Sequence, residues 1–243
     1  MKTRSTAWMT LSLLLFANSH LWPVHPEGRN EYKAFRQTIR MYDQVNIDPR
    51  TLKSAEKIVD NIFKAVRVEL LWIVCSRNSP DFNGVCGQPL TPPEIGLRIV
   101  QGPSWSLNPS GHFKCGLANR IIPGESGGWI SISSECIEQI AKRLIGDSPL
   151  ELGRAQGIIL GHFMTHEIGH LLLPIDGHSI TGIMQERLGR REWALAVSGL
   201  LGFTREEADM IRQGVQVRSV VEKESFTRSS VSQELQSRMG LKD

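Results

Sequence analysis

The sequence predicts an α+β fold: a twisted mixed sheet of about five strands packs on one long helix, and a small, mostly helical part follows. The chain has 243 residues, of which 40% are hydrophobic and 22% charged, so it can bury an ample core. Short apolar runs alternate with segments of helical period along its first half. A later stretch, from Pro149 to Leu173, continues for about 25 residues without an internal proline, which favours one long helix.

Five segments have the composition of β-strands, because apolar and β-branched residues dominate them. Val68–Val74 is a continuous apolar run, which is typical of a strand buried on both faces. The last two segments flank a glycine-rich connection, which predicts a hairpin. The segments are Thr38–Tyr42, Val68–Val74, Ile95–Val100, Lys114–Ile121 and Trp129–Ser133.

Helix starts are marked by capping residues. Asp48 precedes Pro49, the pattern of an N-cap followed by proline at the first helical position. Ser148 and Glu151 form a capping box at the start of the long helix. Thr204 precedes an acidic first turn. The predicted helices cover residues 49–66, 135–144, 149–173 and 205–212.

The N-terminus has the pattern of a secretory leader. Lys2 and Arg4 form a positive region, Ala7–Ala17 is apolar, and Ala17-Asn18-Ser19 has the small residues that signal peptidases recognise. The apolar stretch is shorter than the about 20 residues that span a bilayer. We expect a signal peptide at residues 1–19, no stable membrane insertion once it is removed, and a secreted or periplasmic protein.

The remainder divides into a folded part and a tail. Residues 20–217 contain all the predicted elements, whereas residues 218–243 are polar and lack a sustained apolar period, so we expect a flexible tail there. Lys and Arg number 28 against 25 Asp and Glu, a net charge of +3. This near balance gives no reason to expect a nucleic-acid partner.

The four cysteines all lie after the predicted leader and would meet an oxidising compartment. They allow three disulfide pairings, and four buried free thiols are the alternative. We favour Cys75 with Cys86 and Cys115 with Cys136, because each pair closes a short loop beside a predicted strand.

A metal motif lies on the long helix, where residues 166–170 are His-Glu-Ile-Gly-His and match H-E-x-x-H. Histidines four residues apart project from one helical face and can occupy adjacent corners of a zinc tetrahedron. Glu167 then reaches a zinc-bound water rather than the metal. The motif predicts one catalytic Zn²⁺, held in part by His166 and His170, and hydrolysis of peptide bonds with Glu167 as general base.

A third ligand is expected just beyond the helix. Asp176 and His178 stand ten and twelve residues after His166, and either can return beneath the helix end. We favour His178, because neutral imidazole is the commoner zinc ligand, and keep Asp176 as the alternative. His162 lies one turn before His166, but a straight helix cannot bring three histidines over two turns onto one ion, so we expect a packing or supporting role for it.

These residues, with the later series Gly177-His178-Ser179 and Gly182-Ile183-Met184, resemble a metzincin-type zinc peptidase. They resemble more closely a group of secreted bacterial proteins with a similar motif series. The resemblance covers most of residues 37–214 and implies a twisted sheet carrying the active-site helix. It also implies an apolar floor under the metal at Met184, and a peptide or protein substrate that pairs in extended conformation with the strand at Lys114–Ile121.

The resemblance has two departures. The usual metzincin form is H-E-x-x-H-x-x-G-x-x-H, whereas Leu173 here occupies the glycine place and Asp176 the place of the third histidine. The turn out of the helix is therefore built differently, and Gly177 is the residue suited to an unusual backbone conformation. No tyrosine follows Met184, so the tyrosine ligand of some metzincin branches is absent.

Two further functions compete with a peptidase. A catalytically inactive, zinc-stabilised secreted binding module would keep the metal but have no need of Glu167. A serine hydrolase is suggested by residues 124–128, Gly-Glu-Ser-Gly-Gly, which fit G-x-S-x-G around Ser126. A nucleophile elbow needs a helix after the serine, whereas Trp129–Ser133 is predicted to be a strand, so this hypothesis ranks third.

Overall fold

A computed structural model describes residues 35–76, 84–102, 114–119, 127–145, 149–174 and 177–220. Ser126, Ser148, Asp176, the predicted signal peptide and residues 221–243 of the predicted tail lie outside these ranges. The strands are β1 (Phe35–Asp43), β2 (Val68–Val74), β3 (Ile95–Val100), β4 (Gly116–Asn119) and β5 (Gly128–Ser133). The helices are α1 (Pro49–Ala65), α2 (Ser134–Ile145), α3 (Pro149–Leu172), α4 (Arg190–Val197) and α5 (205–220), with a short 3₁₀ turn at Val85–Gly87.

The five described strands form one mixed sheet in the order β2-β1-β3-β5-β4. β1 pairs in parallel with β2 and β3, and β3 pairs in parallel with β5. β4 runs antiparallel to β5 and lies at the edge. Helices α1 and α3 pack against each other and against the sheet. The predicted α+β class, with a mixed sheet on a long helix and a helical C-terminal part, is confirmed.

The core lies between the sheet and these helices. Alternate residues of β1, β3 and β5 point to one face, as the two-residue period of a strand requires. They meet the apolar stripes of α1 and α3. Fully buried members of this core are Ile39, Met41, Leu97, Ile99, Ile130, Ile132, Val59, Phe63, Ile159, Met164 and Ile168.

A buried ion pair holds the loop that covers the opposite face. The guanidinium of Arg40, on β1, donates through Nε to Oε1 of Glu94 at 2.7 Å and through Nη2 to Oε2. Nη1 also donates to the carbonyl oxygens of Val85 at 2.5 Å and of Gln88 at 2.9 Å. One side chain thus fixes both ends of the segment 85–94.

Both disulfides join residues close in the chain. Cys75, just after β2, is bonded to Cys86, and Cys115, just before β4, is bonded to Cys136 in α2. This is the pairing that loop length favoured. Cys115 and Cys136 are fully buried, and their bond fastens the start of the edge strand β4 to α2.

Three details differ from the sequence-based expectation. β2 is an edge strand of the described sheet rather than buried on both faces, and Leu71 is 41% exposed. α4 was not predicted; its N-cap is Gly189, which has no side-chain oxygen to mark the start of a helix. The last helix continues past Arg212, because Ile211 and Val215 extend its buried stripe, so residues 218–220 of the expected tail are helical.

The Arg40–Glu94 pair makes stability depend on pH. Burial would raise the pKa of Glu94, but the hydrogen bonds from Arg40 and Thr91 outweigh it and hold the pKa below its ordinary value of 4.5. The pair therefore stabilises the fold fully above about pH 5 and loses that contribution as the pH falls through the lowered pKa. We expect the difference in free energy of unfolding between the wild type and Glu94→Gln to stay constant from pH 7 to about 5 and then narrow towards about pH 3, measured by urea denaturation. A difference that stays constant down to pH 3 would contradict this.

Candidate metal centre

Helix α3 presents His166 and His170 on one face. The helix is 24 residues long and packs Gly157 and Gly161 closely against α1. His166 is buried and His170 is partly buried. The backbone N–H of Leu173 donates to the carbonyl oxygen of Gly169 at 2.8 Å and closes the last turn, after which the chain leaves the helix.

The chain then brings His178 back to the same point. Gly177 has φ +148°, a conformation that L side chains rarely adopt, which is the role expected for this glycine. Gly182, with φ +79°, allows the chain to turn again towards Met184. The residues from 178 to 184, which we call the ligand turn, therefore pass under the C-terminal end of α3.

The three imidazoles converge on one point. Nε2 of His170 lies 3.0 Å from Nε2 of His166 and 3.3 Å from Nε2 of His178. The ring of His178 stacks on that of His166, with centroids 5.3 Å apart, and the ring of His170 is nearly perpendicular to both. Their potential ligand atoms all lie within 4.8 Å of one another.

This spacing fits zinc. Two nitrogens bound at about 2.0–2.1 Å to one tetrahedral ion lie about 3.3 Å apart, close to the observed separations. Within the described residues the group offers three ligand nitrogens, and His178 is its exposed member. Three protein ligands and one open position are the arrangement of catalytic rather than structural zinc sites.

His166 is held in the tautomer that a metal ligand needs. Its Nδ1–H donates to the carbonyl oxygen of Ile183 at 2.8 Å, which leaves the lone pair of Nε2 free. Burial lowers the pKa of His166 to about 4, so the ring is neutral at pH 7. Burial also lowers the pKa of His178. Both rings are therefore available as lone-pair donors at neutral pH.

Glu167 lies beside this group, between α3 and the edge strand β4. It is 5% exposed, and burial raises its pKa to about 7, although the charge of Lys114 and the backbone N–H of Ala118 act in the opposite direction. A side chain at Gly116 would overlap its carboxylate, so glycine at this position lets Glu167 lie directly against β4 in this arrangement. β4 thus forms one wall of the site in direct contact with Glu167.

Met184 lies under the helix. It is 1% exposed, and a Cβ added at Gly169 would stand 2.6 Å from its Sδ. The thioether therefore packs against α3 directly before His170, where the expected apolar floor would be. His162 is also buried, but its Nδ1 donates to the carbonyl of Ile158 at 2.7 Å and its ring contacts Trp193, so it packs rather than joining the group.

Asp176 and Ser126 are the remaining candidates for a ligand and a nucleophile. Asp176 lies outside the described residues, and the described metal-ligating group consists of the three histidines. Ser126 is also outside them, but β5 begins at Gly128. A strand rather than a helix therefore follows the serine, contrary to the requirement of a nucleophile elbow.

Sequence reasoning missed the residues that hold the ligand turn. Ser179 donates its hydroxyl to the buried carboxylate of Glu207, and the N–H of Ile183 donates to the carbonyl of Gly202 at 2.9 Å. Thr204 and Glu207 have the spacing of a capping box, a signal that could have identified Glu207 as a structured residue. Its contact with Ser179 depends on tertiary packing that no local pattern encodes.

The chain is similar to the solved structure of archaemetzincin from Methanopyrus kandleri, at 16% sequence identity and with a TM-score of 0.34. The match covers 76% of this chain and 98% of that one. No family model matches the chain, and neither does any curated protein. A likeness this weak shows neither family nor activity, so the functional conclusion depends on the geometry of the site.

Proposed function

We propose that the chain is a secreted zinc-dependent peptidase whose metal is held by His166, His170 and His178 and whose general base is Glu167. One observation carries the proposal: three imidazole nitrogens converge at the spacing of zinc ligands, and the buried carboxylate of Glu167, which is not one of the ligands, lies beside them. A structural zinc site closes its fourth position and has no use for such a carboxylate.

The chemistry follows from the donor set. Zinc, when bound there, supplies a Lewis acid that polarises a carbonyl and acidifies water. Glu167 accepts the proton of the attacking water and passes it to the departing amine. Its raised pKa, about 7, suits a group that must both take and release a proton near neutral pH. Met184 keeps the underside of the histidine group apolar.

The substrate class follows from the position of β4. Within the described residues, β4 pairs only with β5, so no strand covers its other edge. An extended peptide can add to such an edge as a further strand. Because the backbone of Ala118 donates to Glu167, a peptide on this edge is brought next to the carboxylate. We infer an extended peptide or protein substrate, and no nucleic acid.

Two disulfides support an oxidising location, as the predicted leader does. No helix in the described part of the chain is long and apolar enough to cross a membrane. A secreted or periplasmic protein is the location that we propose.

Zinc stoichiometry tests the ligand set. We expect the purified chain to hold about one zinc ion after dialysis, His178→Ala to lose most of it, and Asp176→Ala to keep it, measured by atomic emission. Asp176→Ala is the matched control, because it removes the competing ligand two residues away. Loss of zinc from Asp176→Ala alone would move the ligand to the aspartate, and a folded wild type without zinc would overturn the proposal.

A further inference from the structure

The ligand turn positions two of the three proposed ligands. His178 is its first residue, and Ile183 near its end supplies the carbonyl oxygen that orients His166. The backbone N–H of Ser179 donates to the carbonyl of Met184 at 2.9 Å and closes the turn. A displacement of this turn would therefore move His178 directly and release the anchor of His166.

His178 depends on the turn more than the two helical histidines do. His166 and His170 are carried by a long packed helix, and His166 is also anchored through Nδ1. His178 lies outside that helix, its Nε2 faces the imidazole of His170, and it follows Gly177, which has an unusual φ. Among the described residues, the main chain of the turn carries its ring to the two helical histidines.

The segment that begins α5 holds the turn from below. The N–H of Ile183 donates to the carbonyl of Gly202 at 2.9 Å, and a Cβ added at Gly182 would lie 3.0 Å from that same oxygen. Ser179 Oγ donates to Oε1 of Glu207. Both contacts fasten the turn to residues 202–207.

Glu207 is a buried carboxylate with both oxygens engaged. It is 3% exposed, and Oε2 accepts the N–H of Thr204 at 2.7 Å, while its own N–H donates to Thr204 Oγ1 at 3.2 Å. These two bonds form the capping box of α5. The cap uses Oε2, whereas Oε1 accepts the hydroxyl of Ser179, the residue that follows His178. One carboxylate therefore joins the start of α5 to the ligand turn.

We propose that Glu207 is a positioning residue for the metal site: through the hydroxyl of Ser179 it fixes the main chain next to His178 and so places the third ligand. This inference rests on the proposed function. Because this carboxylate belongs to α5, the C-terminal helix helps to determine the position of His178 and therefore the metal affinity of the histidine group.

The experiment compares two single hydrogen-bond deletions at Glu207. Ser179→Ala removes the bond to the ligand turn and leaves the cap; Thr204→Ala removes a cap bond and leaves the bond to Ser179. Ser179→Thr keeps the hydroxyl as the conservative variant. Each full-length protein is titrated with Zn²⁺ and Co²⁺ against a chelator, the visible spectrum of the Co²⁺ form is recorded, and the melting temperature is measured without metal.

We expect Ser179→Ala to weaken metal affinity by about 10- to 100-fold and to alter the Co²⁺ spectrum, and Ser179→Thr to restore both. Thr204→Ala should lower the metal-free melting temperature but change affinity less than about threefold. Equal affinities for Ser179→Ala and wild type, or an equal loss in Thr204→Ala, would overturn the inference while leaving the zinc site standing. A wild type that binds neither metal would instead overturn the proposed function, and this inference with it.

Discussion

Glu167→Gln is expected to lower peptide-bond hydrolysis by about 10²- to 10⁴-fold while about one zinc ion stays bound. Glutamine has the size of glutamate, so it keeps the contact with Gly116 in β4, but it cannot accept a proton. Because Glu167 is not one of the three proposed ligands, the metal content should not change. Cleavage of a peptide library, followed by mass spectrometry, measures the first effect, and atomic emission measures the second.

Glu186→Gln is the matched control. Glu186 is an exposed carboxylate whose charge acts on His178, and the same substitution there should change the rate less than about threefold. Full turnover in Glu167→Gln would show that Glu167 is not the general base. A wild type that holds zinc yet cleaves no peptide in the library would favour the inactive zinc-binding module.

Arg40→Met is expected to lower the free energy of unfolding by about 3–5 kcal/mol. The Arg40 and Glu94 side chains are 3% and 10% exposed, so methionine would leave the carboxylate buried without its partner. The carbonyl oxygens of Val85 and Gln88 would lose their donor as well. Urea denaturation followed by circular dichroism measures the loss.

Arg36→Met provides the comparison on the same strand. Arg36 pairs with Glu69 at 2.8 Å, but the two side chains are 69% and 49% exposed, and such surface pairs contribute about 0–1 kcal/mol. We therefore expect a loss below about 1 kcal/mol. A similar cost for the two variants would show that burial of the Arg40–Glu94 pair does not determine its contribution.

Sequence patterns predicted those helices and strands whose bounds depend on interactions between residues close in the chain. The bounds of β2 and β3 agree with the predicted segments, and α1 begins after its Asp48 cap. The exposure of β2 could not be predicted, because a continuous apolar run is compatible with an interior or an edge strand and only strand order decides which. The end of α5 was missed although Ile211 and Val215 continue its apolar period.

In the candidate site, too, some residues could be predicted from sequence and others could not. Helical geometry alone places His166 and His170 together with Glu167 next to them, so the motif could be recognised in the sequence. The choice between Asp176 and His178 depends on the backbone conformation at Gly177, and sequence spacing does not fix that. The wall that β4 forms and the support from α5 come from residues distant in sequence, and their contacts exist only once the sheet and α5 have packed.

The order of the cross-links along the chain has a consequence for biogenesis. Both disulfides close within residues 75–136, before the first of the converging histidines at position 166. A polypeptide that crosses a membrane from its N-terminus exposes all four thiols to oxidation before any of these imidazoles has emerged. Thiolates are strong zinc ligands, so in the exported zinc peptidase that we propose, this order would remove the competing sulfur donors before the nitrogen site exists.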